Sequence, residues 1–245
     1  MNRRTVGIVL GAIVVLTAVV GGGILVVETA LTSYFHSYTY RVAVETDTNL
    51  TDVTLYVPVP TRDGETLADE YADAAVIQDP PEVWVGDDGP HVPDATGGSA
   101  DWTTQIVETE HGPMLALRAS SVEAGTYVFG ANTQLEPGRI HTADPWVSDF
   151  VLTPANAVTQ VECPSWTDET ERCYTYGSHL YADATASTRG SVSVSVSLHG
   201  QTDWGFFLAN GWNWFDQRMS ATFDGTTNGW FETEGTLTGG AGTYP

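Results

Sequence analysis

Residues Ser191 to Leu198 read SVSVSVSL, and this strict alternation of polar and apolar residues is the pattern that decides the fold class. Side chains along a β-strand point alternately to its two faces, so the valines and Leu198 lie on one face and the serines on the other. The stretch therefore predicts a strand that is buried on one side and faces water on the other.

Alternation with a period of two residues recurs on both sides of this stretch. Further candidate strands lie at residues 38–45, 53–59, 103–109, 114–119, 126–135, 218–223 and 230–237. Turn residues separate several of them, as in Glu110–Pro113 and Asp224–Gly229. Beyond residue 35, no stretch keeps an apolar period of 3.6 residues for more than about two turns. The pattern predicts an all-β domain, a β-sandwich, and leaves immunoglobulin-like and jelly-roll strand orders both open.

The N-terminal region has a different character. Residues 5–27 read TVGIVLGAIVVLTAVVGGGILVV and contain no charged residue. A helix rises about 1.5 Å per residue, so this stretch is long enough to cross the roughly 30 Å hydrocarbon layer of a bilayer. A cleavable signal peptide is the alternative, but its apolar region is usually about 7–15 residues long and ends at a small-residue cleavage site. The length of the stretch favours an uncleaved transmembrane helix, embedded in the lipid bilayer.

Charges beside this helix indicate its orientation. Arg3 and Arg4 precede it and Glu28 follows it, so the positive-inside rule places the N-terminus in the cytoplasm. The predicted order is a cytoplasmic tip at 1–4, the transmembrane helix at 5–27, a juxtamembrane segment at 28–35 and an extracytoplasmic domain at 36–245. A Pro-containing stretch at 136–154 could divide that domain in two.

The chain is strongly acidic. Its 245 residues include 31 Asp and Glu but nine basic residues, all of them Arg, for a formal net charge of −22. Such a charge argues against a nucleic-acid partner, because phosphate backbones are bound by clustered Lys and Arg. The acids are dispersed, with no calcium-binding D-x-D-x-D-G run, so they are interpreted as a solvated surface. This acidic, Lys-free composition resembles that of proteins from salt-in halophilic archaea, which implies a protein adapted to molar salt.

No motif for catalysis, a cofactor or a metal occurs in the chain. The six His residues are scattered, without H-E-x-x-H or H-x-H spacing, and no G-x-S-x-G, Walker or G-x-G-x-x-G motif stands in a usable context. Paired carboxylates of the kind that hydrolyse glycosides have no recognisable spacing in sequence. The sequence therefore predicts a non-catalytic protein with no cofactor and no metal site.

Two sites of covalent modification are predicted. Cys163 and Cys173 are the two Cys residues of the chain, and outside the cytoplasm such a pair is best explained as a disulfide. Closing a loop of about 11 residues stabilises the folded chain by roughly 3 kcal/mol on the loop-entropy model. Asn49, in the sequon Asn-Leu-Thr, lies between two predicted strands and is a candidate for N-glycosylation.

Aromatic residues are concentrated near the C-terminus. The stretch DWGFFLANGWNWFD at 203–216 is too rich in Gly and Asn for one regular strand throughout. One interpretation is an aromatic plug that closes the core, since each large ring buries roughly 150–250 Å². The other is an exposed platform that stacks on sugar rings or anchors a protein partner. The residues of that candidate platform are Trp204, Trp212, Trp214 and Trp230.

Together these features predict a single-pass cell-membrane protein of the envelope of a halophilic archaeon, or of a virus infecting one. Its extracellular β-sandwich has a binding or structural role, toward a surface layer, a glycan or another envelope protein. Two alternatives remain open at this stage: an accessory subunit of a membrane complex, and a secreted or anchored hydrolase with an acid/base pair that the sequence does not reveal.

Overall fold

A computed structural model describes residues 35–62, 65–66, 100–134, 140, 146, 150–164, 171–206 and 209–243. This part of the chain is all-β and contains no α-helix, which confirms the predicted fold class at that level. The strands are β1 (Phe35–Thr46), β2 (Leu50–Pro58), β3 (Pro60–Arg62), β4 (Glu65–Thr66), β5 (Thr103–Thr109), β6 (Gly112–Val122), β7 (Gly125–Gln134), β8 (Val151–Leu152), β9 (Thr159–Val161), β10 (Arg172–Ala186), β11 (Ser191–Phe206), β12 (Ala209–Asp224) and β13 (Thr227–Thr243).

Ten of these strands form one antiparallel sheet. Its order is β5-β6-β2-β10-β13-β12-β11-β1-β7, and β9 pairs with β10 on the same edge as β2. The remaining three strands form a small sheet in the order β4-β3-β8. The large sheet is curled, because Trp102, just before β5, packs its ring against Tyr127 and Phe129 of β7, with centroid distances of 5.7 and 5.5 Å. The first and last strands of the order thus meet across the core.

The inner face of the curled sheet carries a single hydrophobic core. The alternation of SVSVSVSL is confirmed, since Val192, Val194, Val196 and Leu198 are all buried while the intervening serines line the outer face. Strands β1 and β2 contribute their alternate residues in the same way. Core residues come from eight strands of the large sheet, from β8, and from Val59, Ile140 and Phe150 outside those strands.

Strand β10, in the interior of the sheet, has a weak sequence pattern. Its inward positions include Ser178, Ala182 and Ala184, which are small or polar and give little apolar periodicity. Tyr176 is also buried there, and its ring occupies the space that a Cβ would need at Gly235 of β13. Strand β10 nevertheless pairs with three others, β13, β2 and β9.

The aromatic stretch at 203–216 belongs to a long hairpin, in which β11 pairs with β12 from Ser191↔Asp224 to Phe206↔Ala209. The next hairpin, between β12 and β13, turns at Gly225 and Thr226, so that Asn228-Gly229 lies within β13 instead of in the turn. Asn228 lies within β13 because it pairs with Asp183 of the neighbouring strand β10.

No helix within the described residues is long and apolar enough to cross a bilayer. The apolar stretch at 5–27 and the segments at 1–4 and 28–34 lie outside the described residues.

A buried side chain joins the small sheet to the large one. Gln217 of β12 is fully buried, and its side-chain amide hydrogen-bonds both backbone polar groups of one residue of β8, Leu152. The backbone N–H of Leu152 donates to Oε1 at 2.7 Å, and Nε2 donates to the carbonyl of Leu152 at 3.1 Å. Since buried backbone groups need partners, this clamp holds β8 over the core.

We expect Gln217→Met to destabilise the fold, because it leaves the N–H and the carbonyl of Leu152 buried without partners. Each orphaned group costs about 1–3 kcal/mol, so the free energy of unfolding falls by about 2–6 kcal/mol. Urea denaturation in molar salt measures this loss in the free energy of unfolding. Gln160→Met, on an exposed position of β9, is the matched control, and an equal effect of the two variants would contradict the clamp.

Candidate functional site

Three aromatic side chains stand side by side on the outer face of the sheet. Tyr181 of β10 is in register with Tyr56 of β2 on one side and with Trp230 of β13 on the other. The rings of Tyr56 and Tyr181 stack at 4.9 Å, and that of Trp230 meets Tyr181 edge-on at 5.3 Å. All three are half-buried, so one side of each remains open to solvent. We call Tyr56, Tyr181 and Trp230 the aromatic row.

The row exists because β10 lies between β2 and β13. On each of the three strands, the neighbouring residues Leu55, Leu180 and Phe231 pack on the core, so alternation directs the row outward. Directly opposed aromatic pairs on adjacent strands attract one another by roughly 0.2–1 kcal/mol. The core thereby fixes the position of the row.

Two histidines extend the row toward β6. His111, in the turn between β5 and β6, stacks on His179 of β10 with ring centroids 3.8 Å apart and planes 10° from parallel. The same imidazole meets the ring of Trp230 edge-on at 4.4 Å. The side chain of His111 remains 26% exposed, and Glu110 approaches its Nε2 at 3.9 Å. The turn thus covers one end of the row.

Arg118 of β6 borders the other side of the row. Its guanidinium carbon lies 5.8 Å from the centre of the Tyr56 ring, and one guanidinium nitrogen donates to the Tyr56 hydroxyl at 3.5 Å. The other terminal nitrogen donates to Oε1 of Gln105 on β5 at 3.3 Å. These contacts hold the cation beside the aromatic rings.

Next to Arg118 a shallow open groove of about 460 Å³ crosses the outer face. Three carboxylates line it, those of Asp52, Asp101 and Asp183, with Arg118 as the basic residue of its lining. The polar side chains of Thr54, Thr103 and Ser120 complete it. We call this the acidic groove, and it shares Arg118 with the aromatic row.

Backbone geometry brings Asp52 to the groove. Asp52 and Val53 of β2 together face one residue of β10, because the register between the strands shifts between Asp183 and Thr185. Asp52 has a φ of 53°, the left-handed conformation that Asp tolerates better than most residues. Bulges of this kind redirect a side chain.

Hydrogen bonds orient Asp101. Its carboxylate accepts from the Ser120 hydroxyl, from the Ser120 N–H at 2.9 Å and from the Ser121 N–H at 3.3 Å. The bond from the Ser120 side chain, followed by that from the Ser121 backbone, lowers the pKa of Asp101 below its ordinary value. Asp101 is therefore ionised at neutral pH and anionic toward a ligand.

The hydroxyl of Tyr181 lies in polar surroundings. Desolvation raises the pKa of Tyr181, the negative charge of Asp183 raises it further, and a hydrogen bond with the Asn228 side chain opposes them. The phenol therefore stays neutral and keeps its proton for donation. The edge of the aromatic row thus offers the hydroxyl of Tyr181, the amide of Asn228 and the carboxylate of Asp183.

The four Trp residues of the predicted platform lie in different places. Trp230 belongs to the aromatic row. Trp212 and Trp214 share its outer face, but Trp214 pairs with Gly240, ten residues along β13 from Trp230 and so about 33 Å away. Alternation along β11 puts Trp204 on the opposite, core-side face, since Thr202 is buried. All four are half-buried, which is neither a fully buried plug nor a fully exposed surface.

The predicted modification sites lie elsewhere on the sheet. The sulfurs of Cys163 and Cys173 are at bonding distance, with a Cα–Cα distance of 5.2 Å, and the bond closes the connection between β9 and β10. Asn49 is exposed between β1 and β2, and its Oδ1 accepts a hydrogen bond from the Ala124 N–H at 2.9 Å. An N-linked glycan is carried by the other side-chain atom, Nδ2, which takes no part in that hydrogen bond.

Sequence reasoning missed Tyr56, Tyr181, His111, His179 and Arg118. Tyr56 could have been found, because it is an outward-facing aromatic residue within a predicted strand. Tyr181 and His179 lie on β10, which has no clear alternation, and the stacking of His111 on His179 depends on a contact between distant segments. No group of three or more His, Cys, Asp or Glu within the described residues is arranged to hold a metal ion.

Comparisons with protein-family models, with curated proteins and with solved structures find no match to this chain.

The bulge at Asp52 gives a direct test of how the groove is built. We expect Asp52→Val to lower the free energy of unfolding by about 1–2 kcal/mol, because a β-branched residue is strained at positive φ. Asp52→Gly should be tolerated, since Gly adopts this conformation freely. Urea denaturation compares them, with Thr54→Val on the same strand as control. Equal stability of the Val and Gly variants would show that the backbone is not held in this conformation.

Proposed function

We propose that this chain is a membrane-anchored protein of a halophilic cell envelope, cellular or viral, whose extracytoplasmic β domain binds neutral saccharides on the aromatic row. The observation that carries the proposal is the juxtaposition of three open aromatic rings with a groove lined by polar groups. The finer fold assignment belongs to the same proposal: the two halves of the curled sheet face each other across the core as a β-sandwich.

Saccharides suit this surface chemically. A sugar ring has a largely apolar face of C–H bonds, which packs on an aromatic ring, and a rim of hydroxyl groups, which need hydrogen-bond partners. The row supplies the aromatic faces, and Arg118, Asp183, Asn228 and Tyr181 supply polar atoms at its border. The row crosses three strands, about 10 Å from first to last, which suits a ligand of more than one sugar ring.

Charge selects among saccharides. Three carboxylates face one guanidinium in the acidic groove, and Glu232 of β13 lies exposed beside the row, in register with His179. Sulfated or uronic saccharides are repelled by such a surface, and neutral ones are not. We therefore assign neutral saccharides as the ligand class, bound without turnover.

We expect Tyr181→Leu and Trp230→Leu each to weaken saccharide binding by about tenfold, equivalent to about 1.4 kcal/mol, because each removes a stacking surface. The full chain in detergent and molar salt is assayed by affinity electrophoresis through soluble neutral mannan, chitosan-free glycol chitin and starch. Chromatography of the polysaccharide after incubation checks that it is not hydrolysed.

The polar border is tested with a matched pair of variants. Arg118→Gln should also weaken binding, whereas Arg218→Gln, an exposed Arg on the outer face of β12 paired with Asp216, should not. Urea midpoints close to that of the unmodified protein show that each variant is folded. If the unmodified protein is not retarded by any of the neutral polysaccharides, or the row variants are retarded as strongly as it is, the saccharide proposal is wrong.

The halophilic part of the proposal rests on the charge distribution. All 31 acidic residues and seven of the nine Arg follow residue 27, a formal charge of −24 on that part of the chain. Exposed carboxylates such as Glu45, Glu108 and Glu234 stand on several different strands. Their mutual repulsion extends over a Debye length of about 10 Å at 0.1 M salt but only about 3 Å at 1 M.

We expect the midpoint of thermal unfolding to fall steadily as KCl is lowered from molar concentration to about 0.1 M, since screening is lost. Replacing Glu45, Glu232 and Glu234 together with Gln should raise the midpoint at low salt and change it little at high salt. Sucrose at matched water activity is the control for non-ionic stabilisation. A midpoint that does not depend on salt over this range would contradict adaptation by charge.

A further inference from the structure

Three Trp residues outside the aromatic row are gathered at one end of the sheet. Asp203 of β11 is in register with Phe35, the first residue of β1, and with Trp212 of β12. Trp204 follows Asp203 directly, and Trp214 lies two residues from Trp212 on the same face of β12. We call the region of Trp204, Trp212 and Trp214 the Trp end.

This end is also where the chain enters the sheet. Two strand spacings separate Phe35 from Trp212, about 10 Å. Seven residues separate Val27, the last residue of the apolar stretch, from Phe35, and the eight Cα–Cα steps between them reach at most about 28 Å in an extended chain. A helix at 5–27 in a bilayer therefore keeps the Trp end close to the membrane surface.

The β11–β12 hairpin carries all three Trp residues of the Trp end. Its pairing continues past Asp203↔Trp212 to Phe206↔Ala209. From residue 204 to residue 215 the sequence contains no charged residue, although the chain as a whole is acidic.

The partial burial of the Trp side chains at the Trp end suits contact with lipid head groups. The indoles of Trp204, Trp212 and Trp214 are half-buried, so each has a supported side and an open side. Trp214 rests against Gly240 of β13, with its Nε1 3.1 Å from the position of a Cβ there. Charged residues of both signs lie at this end: Arg172 is in register with Gly239, Glu171 approaches Gly240, and Asp203 is in register with Trp212.

We propose that Trp204, Trp212 and Trp214 seat this end of the domain on the lipid surface. Trp is enriched at membrane interfaces because its ring is apolar and its N–H reaches polar head groups. Trp204 and the Trp212–Trp214 pair lie on opposite faces of one hairpin, so both of its faces present indoles to the surface. This inference rests on the membrane anchor of the proposed function. With the Trp end on the lipid surface, the aromatic row lies away from the bilayer.

The test uses the full chain reconstituted into phosphatidylglycerol vesicles in molar KCl, with and without bromine atoms on the acyl chains close to the head group. Bromine quenches only the Trp residues near it. We expect brominated vesicles to quench the unmodified protein, and the triple variant Trp204→Phe, Trp212→Phe, Trp214→Phe to lose most of that quenching. Trp230→Phe is the matched control and should retain it.

Flotation of the vesicles on a density gradient separates the two proposals. If the protein floats with the vesicles but the triple variant is quenched as strongly as the unmodified protein, the anchor stands and the seating of the Trp end is wrong. If the protein does not float, the anchor itself is wrong and the seating fails with it. The three single Trp→Phe variants, measured in parallel, replace the triple variant should its urea midpoint show that it is not folded.

Discussion

The continuity of the large sheet depends on strand β10, which forms backbone hydrogen bonds along both of its edges. One edge bonds to β13 over thirteen residue pairs, and the other is divided between β9 at its start and β2 at its end. A strand whose two edges are both occupied is fixed in register on each side. Through β10, the β2–β6–β5 segment and the β13–β12–β11–β1–β7 segment become a single sheet.

A curled sheet with one buried face separates the residues that stabilise the fold from those of the proposed binding surface. The inner face holds the aliphatic and aromatic core, so its substitutions act mainly on folding. Tyr56, Tyr181 and Trp230 are aligned on the outer face. The bulge at Asp52 and the hydrogen bonds to Asp101 then bring two carboxylates to a groove beside those rings.

The two ends of the sheet carry different surfaces. The Trp end includes Phe35, where the chain arrives from its apolar N-terminal stretch, while the aromatic row lies about ten residues further along β13. In the proposed arrangement the first surface contacts lipid and the second is presented to the exterior. Both follow from the length and register of the strands β11, β12 and β13, which set the distance between them.

Local pattern by itself determined the all-β class, the inward residues of β1, β2 and β11, and the β5–β6 hairpin, because alternation and turn residues act between neighbours in sequence. It also predicted the partnership of Cys163 and Cys173, which are close along the chain. Tertiary structure alone decided the role of β10, whose Ser178, Ala182 and Ala184 carry almost no periodic signal. It alone stacked His111 on His179 and set Trp230 apart from Trp212 and Trp214, because register between distant strands depends on how the whole core packs.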